Sequence, residues 1–269
     1  MLIYTCINRE LTREEKEHLL YLQGQERFTI KNMTKVSLGE ELSRHTEQDD
    51  CNKTEHSIVI CISDDNDILN MAGSRGVPVV ACLDDSYKEP EQAESQFISR
   101  YAVDSLCALD REYLETVYFR TKGIPRRITD TDRLIIRELC RTDLPALLEI
   151  YESNEKTPFF QSFYDNREEA EEYLNHYIEN VYDFYGYGIW GICLKNSSAY
   201  EEGKNVGTEE PIIGIMGFTP RENALELGYA LQKNYQGKGF VTEAKKALTE
   251  YAEHVLDCHN IIIVRADCL

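Results

Sequence analysis

The chain has 269 residues, 42% of them apolar and 29% charged, enough for two ordinary domains or one large one. Its 48 acidic against 29 basic residues leave a net charge of −19, a surface that repels nucleic acid and anionic membranes. No run of about 18 apolar residues is present to span a bilayer. The first ten residues lack the basic start and long apolar core of a signal peptide. Nine scattered cysteines (Cys6, Cys51, Cys61, Cys82, Cys107, Cys140, Cys193, Cys258, Cys268) contain no Cys-x-x-Cys pair. That argues against a metal site and for reduced thiols in a cytosol, hence a cytoplasmic protein. The acidic surface is explained by solvation, and it is compatible with a cationic amine as acceptor.

In chain order, Leu2–Ile7 reads as a strand and Thr12–Leu22 as a helix. The polar stretch 31–53 shows little periodicity and is expected to be a loop or an irregular helix. Ser57–Ile62 is a buried strand, Asp67–Ser74 a short helix and Val77–Leu83 a second strand. A βαβ unit with short links predicts a parallel sheet in a small three-layer domain. Asp110–Lys122 closes it, and Gly123–Arg127 reads as a linker. Residues 1–125 are therefore expected to form a Rossmann-like accessory domain. Asp65-x-Asp67 has the spacing of the nucleophile pair of haloacid-dehalogenase-type phosphatases, which would make a magnesium-dependent phosphatase an alternative function. Asp64–Val80 is also similar to the late acidic loop of that superfamily. Neither likeness completes, because too little chain follows the first and no Asp-x-Asp precedes the second. The plainer reading is that these acids cap a helix N-terminus.

Residues 133–269 begin a second pattern. Leu134–Leu139 is a strand, Thr142 or Asp143 caps a helix with Leu144, Leu147, Leu148 and Tyr151 on one face, and Asn166 caps the next helix. Strands over Tyr187–Leu194 and Ile212–Phe218 flank a polar loop from Asn196 to Glu210. Then comes the most informative stretch. Leu225, Leu227, Tyr229 and Leu231 alternate with Glu226, Gly228 and Ala230, the period of a strand. From Ala244 the apolar residues Ala247, Leu248, Tyr251, Ala252 and Val255 follow the helical period. Between them lie Gly237 and Gly239 with Lys238 between, ahead of a helix N-terminus whose unpaired N–H groups suit a phosphate. Lys233, Lys238, Lys245 and Lys246 cluster here. A Walker A loop would need Ser or Thr after a Lys, and a dinucleotide fingerprint would need a third glycine; neither is present. Ile261–Asp267 is a fifth strand.

Gln236-Gly237-Lys238-Gly239-Phe240-Val241 resembles the pyrophosphate loop of the GNAT superfamily of N-acetyltransferases, Gln/Arg-x-x-Gly-x-Gly/Ala, with Val241 in the place of the small residue. Glu226-Leu-Gly-Tyr and Gly237-Lys-Gly-Phe-Val-Thr-Glu-Ala resemble the branch that acetylates N-termini of ribosomal proteins. The element order β-α-α-β-β-β-α-β matches that fold over the whole second region. The resemblance implies an α/β chain: the accessory domain followed by a GNAT fold with a mixed, largely antiparallel sheet. It implies acetyl-CoA as co-substrate and, as acceptor, a protein N-terminus or a small amine. The backbone of Tyr229, Ala230 and Leu231 would bind the pantetheine arm, and that of Gln236, Gly237, Lys238, Gly239, Phe240 and Val241 the pyrophosphate. Glu226 would be general base, directly or through water. Glu243 is expected to be a structural partner, and His254 and His259 surface residues. The family continues past its fifth strand with a helix and two strands, so a chain ending at Leu269 is expected to leave the sheet short. The open edge would admit a second copy. A catalytically impaired acyl-CoA-binding or assembly module is the alternative that this shortening and Val241 suggest.

Overall fold

Two segments, Met1–Lys122 and Gly123–Leu269, fold as separate units. The computed structural model describes residues 1–25, 28–46, 58–83, 99–152, 154, 167–195 and 211–263. Asn166, Cys51, Cys268, the polar loop after Asn196 and the end of the fifth strand lie outside them.

The first unit runs β1 (Leu2–Cys6), α1 (Arg13–Gly24), β2 (Thr29–Asn32), α2 (Lys35–Thr46), β3 (Val59–Ser63), α3 (Asn66–Gly73), β4 (Val79–Cys82), β5 (Ala102–Val103) and α4 (Arg111–Thr121). The strands form one parallel sheet in the order β2-β1-β3-β4-β5. Alternation divides them between two cores. Ile3, Ile60, Ile62 and Val80 pack with Leu19 and Leu22 of α1 and Leu114 and Val117 of α4. Tyr4 and Cys61 face Leu38 and Leu42 of α2 and Ile68 and Ala72 of α3. The expected three layers are present.

Part of the polar stretch 31–53 is better ordered than its composition suggests. Residues 35–46 form a regular helix, buried through Leu38 and Leu42 one turn apart and opened by reciprocal hydrogen bonds between Thr34 and Ser37. Two leucines on one stripe are enough to seat a helix on a sheet, and too few to show a period. Asp65 caps α3, its carboxylate accepting from the N–H groups of Asp67 and Ile68. Asp67 forms an exposed ion pair with Lys35. Among the described residues, no group of three or more His, Cys, Asp or Glu could hold a metal ion. Of the seven described cysteines, five are buried and all are free thiols.

One buried charge organises this unit. Glu15 closes a capping box with Thr12, takes both terminal nitrogens of Arg9 and accepts from the N–H of Leu106. The Arg9 hydrogen bonds, ahead of those from the backbone, overcome burial and hold its carboxyl down at about 2.

The second unit runs β6 (Arg127–Asp130), β7 (Leu134–Glu138), a 3-10 turn (Arg141–Asp143), α5 (Leu144–Glu152), α6 (Arg167–Tyr185), β8 (Ile189–Leu194), β9 (Ile212–Arg221), β10 (Ala224–Leu231), a second 3-10 turn (Lys233–Tyr235), α7 (Phe240–His254) and β11 (Ile261–Ile263). Its sheet has the order β11-β10-β9-β8-β7-β6, antiparallel except for β10 with β11. Strand β6, just past the expected linker, is an element the sequence pattern did not suggest. Asp143 is not a simple helix cap. It is buried in an ion pair with Arg137 and accepts from the Cys140 N–H, closing the 3-10 turn that precedes α5. Helix α7 lays Ala244, Leu248 and Ala252 on Leu225, Leu227, Leu231, Trp190 and Phe218. On the other face α5 and α6 bring Leu147, Ile150, Ala170 and Leu174 against Ile135, Ile215 and Ala230. At the β11 edge, Ile262 and Ile263 are exposed. Among the described residues, no helix is long and apolar enough to cross a membrane.

Glu15→Gln is expected to cost the first unit about 2–3 kcal/mol at pH 7, by stranding the Arg9 guanidinium. A carboxyl held below its unfolded value stabilises fully above pH ~4.5, and that stabilisation fades as pH falls toward ~2. Urea titrations should therefore separate wild type from variant at pH 7 and bring them together near pH 2.

Candidate active site

Strand β10 ends at Leu231, and ten residues later the chain is inside α7. The reversal uses two left-handed residues, Gly237 at φ 72° and Gly239 at φ 83°. A side chain at either would be strained, because L-residues crowd their own carbonyl in that region. Gln236, Gly237, Lys238 and Gly239 are all exposed. The first helical hydrogen bond of α7 runs from the Glu243 N–H to the Gly239 carbonyl (3.1 Å). The N–H groups of Phe240, Val241 and Thr242 precede it and have no partner inside the helix, which places partial positive charge at this end. Lys238 adds an exposed cation, its Nζ 5.4 Å from the centre of the Tyr235 ring. Tyr229 is half-buried against the α7 core, and Ala230 packs on the α5–α6 side.

The loop is fastened at both ends. The side chain of Gln236 turns back, donating to the Leu231 carbonyl at 3.0 Å. Asn154, just beyond α5, donates to the same carbonyl at 2.7 Å. At the other end stands Arg133, in the turn between β6 and β7. Its Nε donates to Glu243 Oε2 (2.7 Å), its Nη1 to the Lys238 carbonyl (3.3 Å), and its guanidinium lies 4.6 Å from the Phe240 ring centre. Glu243 also accepts from the Arg133 N–H and the Thr131 hydroxyl. Burial pushes the Glu243 carboxyl up, but the bonds from Thr131 and Arg133 outweigh it and hold it below the usual carboxylate range. Glu243 is thus a structural partner, as expected.

Val241 turns into the α7 core and away from the exposed loop. Glu226 lies on β10 opposite Thr219 of β9 and Ile262 of β11. Its side chain is 14% exposed, and Oε2 accepts from Arg221 Nε across the β9–β10 hairpin. His254 and His259 are on the surface.

The family model of the Acetyltransferase (GNAT) domain matches residues 133–267, half of the chain. The chain belongs to the GNAT acetyltransferase family. It is a GNAT N-acetyltransferase with an added parallel α/β unit. A curated relative is the ribosomal protein uS5-alanine N-acetyltransferase of Escherichia coli (strain K12), 27% identical over 144 residues that make up 52% of this chain and 70% of that one. Among solved structures, an acetyltransferase of Salmonella typhimurium that modifies the N-terminal serine of ribosomal protein L7/L12 is 19% identical, covering 51% of this chain and 74% of its own, with TM-score 0.40. The microcin C7 self-immunity acetyltransferase, solved with acetyl-CoA and AMP, is also 19% identical, covering 49% and 69%, with TM-score 0.37.

Within this GNAT domain, the sequence pattern placed the loop and Glu226 correctly on strand, turn and helix. It gave no sign of Arg133, Thr131 or Asn154, which meet the loop from 82 to 112 residues away in sequence. Glu243→Gln should lower the stability of the second unit by about 1–2 kcal/mol at pH 7, the worth of hydrogen bonds to a charged group. The depressed carboxyl fixes the sign: the difference is largest above the unfolded carboxylate range and shrinks as pH falls through the folded one. Thermal melts at pH 7 and pH 3 check both parts.

Proposed function

We propose that this GNAT enzyme moves the acetyl group of acetyl-CoA to a primary amine, with a protein N-terminus as acceptor. The observation that carries the reading is the exposed turn at Gly237 and Gly239, whose left-handed backbone leads into the free N–H groups of α7. A diphosphate is the ligand such a turn suits, since amide dipoles and Lys238 favour bulky anions. Acetyl-CoA supplies an activated thioester when bound. The chain's own part is to hold, orient and deprotonate. We assign the diphosphate to the N–H groups of Gly237 to Val241, since that of Gln236 already donates to the Lys233 carbonyl, and the pantetheine arm to the backbone of Tyr229, Ala230 and Leu231, met like an added strand.

The ammonium must first give up a proton so that the neutral amine can bond with the carbonyl carbon; as the C–S bond then breaks, the nitrogen sheds a second proton, which neutralises the departing thiolate to leave amide and free thiol. We assign the amine proton to Glu226, directly or through a water. Arg221 already engages Oε2 and so orients the carboxylate, leaving Oε1 for that task. A strand β10 N–H is assigned to the developing oxyanion. A peptide amine is preferred as acceptor because the uS5-alanine enzyme that resembles this chain modifies a protein, and the acidic chain suits a cationic partner.

Calorimetric titration of acetyl-CoA should show one site per chain. Gly239→Asp should weaken it about a hundredfold or more, through a left-handed Cβ, 3.6 Å from Arg133 Nη2, and a negative charge added beside the diphosphate. With a peptide beginning in Ala or Ser, Glu226→Gln should lower kcat about a hundredfold. Equal binding by wild type and Gly239→Asp would sink the loop assignment. Turnover of spermidine but of no peptide would move the acceptor to small amines.

A further inference from the structure

We propose that Arg133 is the positioning residue of the acetyl-donor site: it fixes the Lys238–Gly239 peptide with its N–H facing outward, so that the loop presents donors rather than a carbonyl to the diphosphate. The proposal rests on the assignment of Gly237–Val241 to that diphosphate.

A trans peptide is planar, and its C=O and N–H point in opposite directions. The Lys238 carbonyl accepts from Arg133 Nη1, so it points toward the guanidinium. The N–H of Gly239 in the same plane must then point away from Arg133, from an exposed residue of the loop. Gly239, on one side of this peptide, sits at φ 83° and has no Cβ to oppose a change of φ, so the plane is freer to turn than between two residues with side chains. Without a tether, the plane can turn over. The Lys238 carbonyl would then meet the anion, and an attraction would become a repulsion.

Arg133 is itself held rigidly. Nε and Nη2 engage Glu243, Nη1 engages the Lys238 carbonyl, and the plane lies against Phe240, the first residue of α7. Each of its three nitrogens donates one of these bonds, so Glu243 and the loop set the place of the guanidinium before any ligand arrives. A second effect has the same origin. Glu243 places a carboxylate in the first turn of α7, where a negative charge opposes a bound anion. The Arg133 guanidinium neutralises it. Lysine could match the charge, but not the fork that reaches both Glu243 and the loop carbonyl.

Binding and steady-state turnover are measured for wild type, Gly239→Asp, Arg133→Met, Arg133→Lys and Glu243→Gln, with two donors: acetyl-CoA and S-acetylpantetheine, which has the thioester and arm but no diphosphate. Arg133→Met keeps the stem against Phe240 and removes the donors. It should raise KM for acetyl-CoA about tenfold with kcat unchanged, and leave KM for S-acetylpantetheine where it was, the loss of one charge-assisted contact seen only by the diphosphate. Arg133→Lys should fall between. Glu243→Gln gives a test by sign: it removes a negative charge from an anion site, so simple electrostatics predicts tighter binding. Loss of the tether to Arg133 predicts weaker binding, about threefold or more.

Tighter acetyl-CoA binding by Glu243→Gln, or an unchanged KM in a folded Arg133→Met, overturns the proposal while leaving the loop assignment intact. Parallel losses with both donors overturn it in favour of a general structural role. If Arg133→Met does not fold, Arg133→Lys and Glu243→Gln decide. Equal acetyl-CoA binding by wild type and Gly239→Asp removes the loop assignment, and the proposal with it.

Discussion

The second unit depends on how one strand hands over to one helix. Strand β10 lies inside the sheet, and α7 must lie across its face, burying Ala244, Leu248 and Ala252 on Leu225, Leu227 and Leu231. The short chain between them can make that turn only through backbone conformations that favour glycine, at 237 and 239. Packing therefore dictates the turn, and the turn leaves amide groups exposed at a helix end. The candidate site lies at that corner.

That corner was legible because every signal in it is local. A period of two gives way to a period of 3.6 within twenty residues, with glycines at the change. The βαβ unit of the first domain was legible for the same reason, through the apolar runs around Ile60 and Val80. The elements that escaped notice lack such runs. Strand β2 is a short and mostly exposed edge and β5 has two residues, while α2, left between a loop and an irregular helix, buries two leucines among polar neighbours. Asp143 shows a subtler limit. Its place before Leu144 fits a helix cap, while its burial against Arg137 depends on a strand six residues earlier.

The brace around the loop was beyond any local reading. Thr131, Arg133 and Asn154 are ordinary surface-type residues; the placing of β6 and β7 beside α7 brings the first two to Glu243 and Lys238, and the end of α5 brings Asn154 to Gln236. Charge composition was equally silent. A net charge of −19 describes the whole surface and not the few ångströms around Gly239, where Lys238, Arg133 and the α7 dipole set the local field.

Thr131 has one more consequence. Its hydroxyl accepts from the Leu134 N–H and donates to Glu243, so the turn that opens β7 is stitched to α7 before β7 begins. The family match starts two residues later, at 133, and β6 lies wholly upstream of it. A fragment trimmed to the match would retain every glycine of the loop and still lose the outermost strand and one of the three groups that hold Glu243. In this chain the packed unit is thus longer, at its amino-terminal side, than the matched stretch.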